Sequence, residues 1–393
     1  MKKFLVVLVF LSIVLTACGL FQKLSPTQTA TTAPTETPTS TETPTPLPTD
    51  TPTLMPTLSY PVEGYGPSNF PANVDPLTGV QDANPALLQR RPMVIKVQNI
   101  SRDARPQWGL SLADIVFEYY SEEGATRFAA VFYGNDASMV GPIRSGRFID
   151  VQIVHGYKAV FAFGSAYVAE MNAFLSSDFA NRLVLEGSST PFTRYDPKGY
   201  NYLMINTADL SAFATKKGIN GIQNLNGMSF KLPAPGGGQA GTQVYIRHSG
   251  AVYNRWDYDA TSGTYLRYSD TIDANNGVQD EQYAQLTDRL TNQPIAFDNV
   301  VILYVNHKLY STDSKGGKIY DIQLIGSGDA YSFRDGQGYK VKWQRNDKDV
   351  VSLTNSDGTP FAFKPGNTWF EVVGLNSTVK QTDQSWRFTH LMP

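Results

Sequence analysis

The stretch Asp114-Ile-Val-Phe-Glu-Tyr-Tyr-Ser-Glu-Glu-Gly-Ala-Thr-Arg-Phe-Ala-Ala-Val-Phe-Tyr133 decides the fold class. Its two halves, 114–120 and 126–133, are rich in β-branched and aromatic residues, which suit a pleated, half-buried surface. Between them Ser121-Glu122-Glu123-Gly124-Ala125 is a short connection containing glycine, the mark of a β-hairpin. Upstream, 92–99 (Pro-Met-Val-Ile-Lys-Val-Gln-Asn) reads as a further strand. Downstream the period changes. Residues 145–155 predict a helix with Phe148, Val151, Ile153 and Val154 on an imperfect apolar face. Residues 158–163 predict a buried strand halted at Gly164, and 167–175 a helix with Val168, Met171, Phe174 and Leu175 on one side. Thr207 is placed to cap another helix, with Asp209 favouring its positive end and Gly218 ending it.

Beyond residue 225 strands dominate. Residues 233–241 (Pro-Ala-Pro-Gly-Gly-Gly-Gln-Ala-Gly) form a flexible break, either a domain boundary or a long loop inside one domain. Strands follow at 243–247, 253–258, 265–268, 299–305, 318–325, 331–333, 339–344, 350–353 and 368–373, with hairpin turns at Asp335-Gly336 and Asp357-Gly358. Residues 281–290 are the one helical candidate there. The reading is α+β: an N-terminal mixed α/β-sheet domain over 60–232, then a mainly antiparallel β domain over 242–393, a curled sheet or small barrel.

The amino terminus differs in kind. Met1-Lys2-Lys3 precedes an apolar run, 4–15, too short to span a bilayer comfortably, so it reads as a signal peptide. Leu15-Thr16-Ala17-Cys18 resembles the lipobox of bacterial lipoproteins, in which cleavage precedes a cysteine that carries diacylglycerol. Cys18 is the sole cysteine of 393 residues and stands at the cleavage position. Acyl chains, palmitate among them, gain about 0.8 kcal/mol per buried methylene, so two or three hold a soluble body on a membrane. The expected location is the extracytoplasmic face of the cell membrane. Residues 19–59 read as a disordered stalk. From 25 to 59 there are 14 Thr and 8 Pro, with Glu36, Glu42 and Asp50 as the only charges, leaving almost nothing to bury.

Composition excludes several classes. A formal net charge of -2 offers no basic excess for nucleic acid. With no cysteine after Cys18, the body has neither disulfide nor thiolate metal site, and His155, His248, His307 and His390 lie outside zinc-motif spacing. There is no phosphate-binding Gly-x-x-x-x-Gly-Lys-Ser/Thr loop and no Gly-x-Ser-x-Gly elbow. No cofactor or metal is expected.

Unusual residues concentrate between 91 and 165. Arg91-Pro92, Asp103-Ala-Arg-Pro-Gln107, Gly109-Leu-Ser-Leu-Ala-Asp-Ile-Val-Phe-Glu118, Glu122-Glu-Gly-Ala-Thr-Arg-Phe128, Gly141-Pro-Ile-Arg-Ser-Gly-Arg147 and Gly164-Ser165 form a string that resembles the DUF3048 family. Asn299-Val-Val301, Gly326-Ser-Gly328, Asp335-Gly336 and Gly366-Asn-Thr-Trp369 resemble that family's second domain. The resemblance implies an α+β domain followed by a β-rich one, and implies no chemistry. Three positions depart from the pattern: Tyr200 replaces a histidine, Trp108 a serine, and Ala125 the middle of Gly-Gly-Ile.

The candidate ligand-binding residues are Arg105, Asp114, Glu118, Glu122, Arg127, Arg144 and Arg147. Charges in or beside apolar strands are seldom buried unpaired, so one reading is an ion-pair network, for instance Arg127 with Glu118 across the hairpin. The other is a cleft. Gly141–Arg147 lies just before a predicted helix, where two guanidiniums and free amides bind a carboxylate or phosphate. Envelope peptides, teichoic-type phosphates and uronic sugars carry such groups. Expected partners are therefore the bilayer through acylated Cys18 and a cell-wall polymer or envelope protein. The alternative is a glycan or peptide hydrolase using Glu122 and Glu123 with Asp114 or Asp150. Neighbouring carboxylates point to opposite sides of a strand, so Glu122 and Glu123 are not themselves a dyad. Ser145 or Ser165 with His155 is a weaker nucleophile set. A third reading is architectural, a spacer or assembly factor.

Overall fold

A computed structural model describes residues 60–196, 202–274, 280–312 and 316–393. The leader, Cys18, the Thr/Pro-rich stretch and Tyr200 lie outside the described residues. The elements used below, in chain order, are β1 (Met93–Gln98), β2 (Ile115–Glu122), β3 (Ala125–Phe132), α1 (Phe148–Gly156), β4 (Val160–Ala162), α2 (Val168–Leu175), β5 (Leu183–Val184) and α3 (Thr207–Lys216). They continue with β6 (Gln243–Arg247), β7 (Tyr253–Asp259), β8 (Thr264–Asp270), β9 (Tyr283–Gln285), β10 (Asn299–Thr312), β11 (Lys318–Gln323) and β12 (Gly326–Arg334). The last are β13 (Gln337–Arg345), β14 (Ser352–Thr354), β15 (Thr368–Gly374), β16 (Thr378–Thr382) and β17 (Ser385–Thr389). The chain is mostly β, and no helix among the described residues is long and apolar enough to cross a membrane.

The central hairpin forms with a tighter turn than the sequence suggested. Only Glu123 and Gly124 connect β2 to β3, both with positive φ (47° and 80°), and a bulge between Tyr120 and Glu122 absorbs the remainder. Two successive left-handed residues twist a two-residue turn in the sense of the strands. This hairpin sits mid-sheet. The main sheet runs β14-β13-β12-β10-β15-β2-β3-β1-β4-β5, with β11 on β10. β15 lies parallel to both β10 and β2, while β2–β3 and β3–β1 are antiparallel.

Strands before and after the 233–241 break are thus hydrogen-bonded in one sheet, and residues 58–393 form one compact unit. The break is a loop within that unit. Its Gln239–Ala240 pairs with β13. A second sheet, β9-β8-β7-β6-β17-β16, is antiparallel except for the parallel pair β6–β17.

Strand alternation explains the layering, since successive side chains face opposite sides. Ile115, Phe117 and Tyr119 of β2 face a core shared with Ile149, Ile153, Val154 and Tyr157 in and beside α1. Val116, with Phe128 and Ala130 of β3, faces a second core with Val244, Trp256 and Tyr265 of the second sheet. Helices cover one face of the hairpin, and a sheet covers the other.

Two local expectations are corrected. Residues 281–290 are not helical: β9 pairs with β8, and Glu281 is held by Arg247, Arg387 and Tyr283. Tertiary ion pairs there outweigh helix propensity. α3 is capped by Asn206, whose side chain accepts from the amides of Ala208 and Asp209; Thr207 instead donates its hydroxyl to Asp136.

Candidate anion-binding cleft

The α1-facing side of the hairpin carries a charged cluster. Lys96 interrupts the apolar run of β1. Tyr119 on β2 and Arg127 on β3 are cross-strand partners. At the start of α1, the Arg147 amide donates to Asp150 Oδ2 at 2.6 Å. Lys96, Tyr119 and Asp150 are fully buried. The Lys96 ammonium donates to the Tyr119 hydroxyl, which donates to Asp150 Oδ1, and Lys96 Nζ lies 3.4 Å from Asp150 Oδ2.

Two guanidiniums meet in front of this buried group. Arg127 donates to Glu122 Oε1, and Arg147 donates to Glu122 Oε2. Arg147 also approaches Glu170 of α2 at 3.5 Å. The arginine side chains are only 14% and 11% exposed, whereas Glu122 is 42% exposed. One carboxylate on the open side therefore bridges two mostly buried cations. A cavity of about 240 Å³ opens beside it, lined by Ser121, Glu122, Glu123, Arg147, Tyr167, Glu170 and Lys318 among others.

The electrostatics follow from burial and crowding. Burial, reinforced by Arg127 and Arg147, brings Lys96 down to about 7 against the opposing pull of Asp150. Burial and then Arg147 lower Arg127 to about 10. Burial alone would raise Glu122, but Arg127 and Arg147 outweigh it and hold this carboxyl below its usual range. Glu170 goes the other way, raised by burial despite Arg147.

The remaining expected residues disperse. Glu118 points to the opposite face, so its expected pairing with Arg127 does not form: residues 118 and 127 differ in strand parity, and Arg127 meets Glu122 instead. Glu118 joins a fully buried network between the sheets. Arg267 donates to Glu118 Oε2 at 2.6 Å and to Glu371 Oε1 at 3.1 Å; His248 Nε2 lies 2.9 Å from Glu371 Oε2, and Trp256 donates to Glu371 at 3.0 Å.

Glu118, His248 and Glu371 bring ligand-type atoms within 4.8 Å of one another, but the Arg267 guanidinium already bonds both carboxylates. This is an ion-pair network, with Arg267 stacked 4.4 Å from the Trp369 ring centroid. Arg105 ties residue 99 to β8 through Asn99 and Asp270. Arg144 borders a separate cavity of about 110 Å³ with Ser145, Ser165, Glu186 and Arg194. Asp114 lies at the far end of β2, accepting from the amides of Tyr133 and Gly134. Trp108 is buried against Tyr195, ring centroids 4.9 Å apart.

The cleft thus unites Glu122, Arg127 and Arg147, and adds Lys96, Tyr119 and Glu170, which sequence reading passed over. A signal existed for Lys96, a lone charge inside Met-Val-Ile-Lys-Val. A larger cavity, about 600 Å³, is lined by Asn226, Gln344, Arg345, Asn346 and Asp349. Its arginine is committed to the carbonyls of Gln152, Leu324, Asp347 and Asp349.

Residues 77–220 match the DUF3048 N-terminal domain and 244–370 the DUF3048 C-terminal domain, each described as a protein of unknown function. The chain is 29% identical over 310 residues to "Putative lipoprotein YerB" of Bacillus subtilis (strain 168), covering 76% of this chain and 85% of that one. A crystal structure of YerB protein from Bacillus subtilis superposes with a TM-score of 0.64 at 27% identity, covering 76% of this chain and 96% of the other. With both domains matched in order along one chain, this protein belongs to the DUF3048 family.

Proposed function

We propose that this protein is a lipid-anchored extracytoplasmic binding protein, attached through Cys18, whose cleft takes an anionic group of a cell-envelope polymer or partner protein. The anchor is supported by the Leu-Thr-Ala-Cys sequence and by similarity to a relative named as a lipoprotein. The ligand reading rests on one observation: Arg127 and Arg147, mostly buried, share the half-exposed carboxylate of Glu122. Charge-assisted bonds from two converging guanidiniums are the usual way to hold a carboxylate or phosphate. Glu122 then stands where a ligand oxyanion would sit, as an internal competitor.

The test is binding of the purified protein to purified cell-wall polymer. Glu122→Gln removes the competitor and should tighten binding, while Arg147→Gln should weaken it by about tenfold or more, as expected for a charged hydrogen bond worth ~1.5–3 kcal/mol. Wild-type affinity in a normally melting Arg147→Gln variant would sink the assignment.

A second reading is favoured by the opposite shifts of Glu122 and Glu170 on one cavity wall, the separation expected of an acid/base pair in a hydrolase. Soluble product released from wall material, and lost in both Glu122→Gln and Glu170→Gln, would support it.

A further inference from the structure

We infer that Asp75, Asp82 and Asp114 form a binding site for a hard divalent cation of the calcium class. The loop Asp75-Pro-Leu-Thr-Gly-Val-Gln-Asp82 is closed on itself: the Asp75 amide donates to Val80 O at 3.0 Å, Gly79 to Asp75 O at 2.7 Å, and Asp82 to Asn73 O at 2.9 Å. These bonds bring its two terminal aspartates side by side. Asp114 arrives from the start of β2.

Each carboxylate has one oxygen tethered by main-chain amides. Asp75 Oδ1 accepts from Leu77 N at 2.7 Å, Asp82 Oδ1 from Asn84 N at 2.7 Å, and Asp114 Oδ2 from Tyr133 N and Gly134 N. The other three oxygens gather around one point in front of Gly134, where Asp114 Oδ1 also accepts from Asn135 Nδ2 at 3.2 Å. A Cβ built on that glycine would lie 2.7 Å from Asp75 Oδ2, 3.0 Å from Asp82 Oδ2 and 3.6 Å from Asp114 Oδ1.

Asp75 is 2% exposed, and among the described residues its Oδ2 has no hydrogen-bond donor; Asp82 Oδ2 has none either. A buried carboxylate oxygen aimed at two more carboxylates is costly without a counter-charge. Arg90, the nearby cation, directs its guanidinium to the carbonyls of Tyr133 and Asn135 and to Asp136.

The donor chemistry selects the cation class. All three groups are hard oxygens, without nitrogen or sulfur. The adjoining cavity, about 230 Å³ and bordered by Thr78, Gln81 and Asn135, has room for waters to complete a shell. Calcium accepts six to eight oxygens in loose geometry, whereas magnesium demands a tight octahedron. The oxygens stand wider than in a filled cage, and a cation would draw the half-buried Asp82 inwards.

The experiment is calcium titration of the EDTA-stripped, purified full-length protein by calorimetry, with melting temperature followed in parallel. Saturable binding is expected, with Kd on the order of 10⁻⁴–10⁻³ M, and an upward melting shift with added CaCl₂. Asp82→Asn removes one ligand charge, and Gly134→Ala fills the shared point without changing charge. Each should weaken binding by about tenfold or more. In EDTA, Asp82→Asn should melt no lower than wild type, because it relieves repulsion, which separates a lost site from a lost fold. Absence of saturable calcium binding, or wild-type affinity in both variants, overturns the proposal.

Discussion

Arg267→Met removes the guanidinium that lies between Glu118 of β2 and Glu371 of β15. Those two acids are in register as neighbours across a parallel strand pair, and both are fully buried. Arg267 itself is 1% exposed and contacts one oxygen of each. Breaking a buried ion pair by removing one partner costs about 3–5 kcal/mol, because a charge is left without compensation. Here one substitution strips two carboxylates that repel each other, so the upper end, ~5 kcal/mol, is expected.

At an unfolding entropy of about 2.1 cal/mol/K per residue, the unit Leu58–Pro393 has ~0.7 kcal/mol/K, and the melting temperature should fall by ~7 °C. Scanning calorimetry at neutral pH measures this. A triple variant, Arg267→Met with Glu118→Gln and Glu371→Gln, should recover most of the loss, since exchanging a whole buried ionic set for uncharged groups is close to neutral. A fall below ~2 °C, or no recovery in the triple variant, would refute the reasoning. So would a thermogram in which 242–393 melts separately, because the network spans strands on both sides of the 233–241 loop.

Two further predictions concern the other face of the hairpin. Lys96 has a folded value of about 7, below its ordinary 10.5, so the folded state binds fewer protons between those limits. Stability from this residue should therefore rise with pH across that window and be lost as pH falls through about 7. Urea midpoints of Lys96→Met at about pH 7.5 and 9.5 should lack the wild-type increase, and an identical increase would contradict the assignment. Phe117 is fully buried, stacked on Phe370 at 4.7 Å and edge-on to Tyr157 at 5.7 Å. Phe117→Ala should cost about 3–5 kcal/mol in equilibrium unfolding, and a loss under ~1.5 kcal/mol would show a core able to collapse into the gap.

What could be read in advance was local. The hairpin announces itself through β-branched and aromatic runs on either side of a glycine turn, and both of its faces are largely buried; α1 and α2 follow the 3.6 period, although Val168 and Leu175 of the α2 stripe stand exposed. Family membership rested on contiguous strings such as Gly141–Arg147. Residues 281–290 failed because their apolar spacing imitates a helix, whereas Glu281 is bound by arginines from β6 and β17, more than thirty positions away in each direction.

Charged positions were identifiable as unusual, yet their grouping was not. Glu118 and Arg127 read as neighbours across a turn, and strand parity sends them to opposite cores. Glu122 bridges Arg127 and Arg147 because the bulge at Tyr120–Glu122 and the docking of α1 set its reach. The cradle of Asp75, Asp82 and Asp114 depends on a closed loop meeting the far end of β2.

The sequence by itself determined most of the elements, the membership and the expectation of an anchor, because propensity, apolar period and motif act over a few neighbouring residues. Only the tertiary structure decided which charges share a site. Ion pairing and desolvation depend on distance in space, and strand alternation with parallel pairing places residues 118 and 371 side by side while separating 118 from 127.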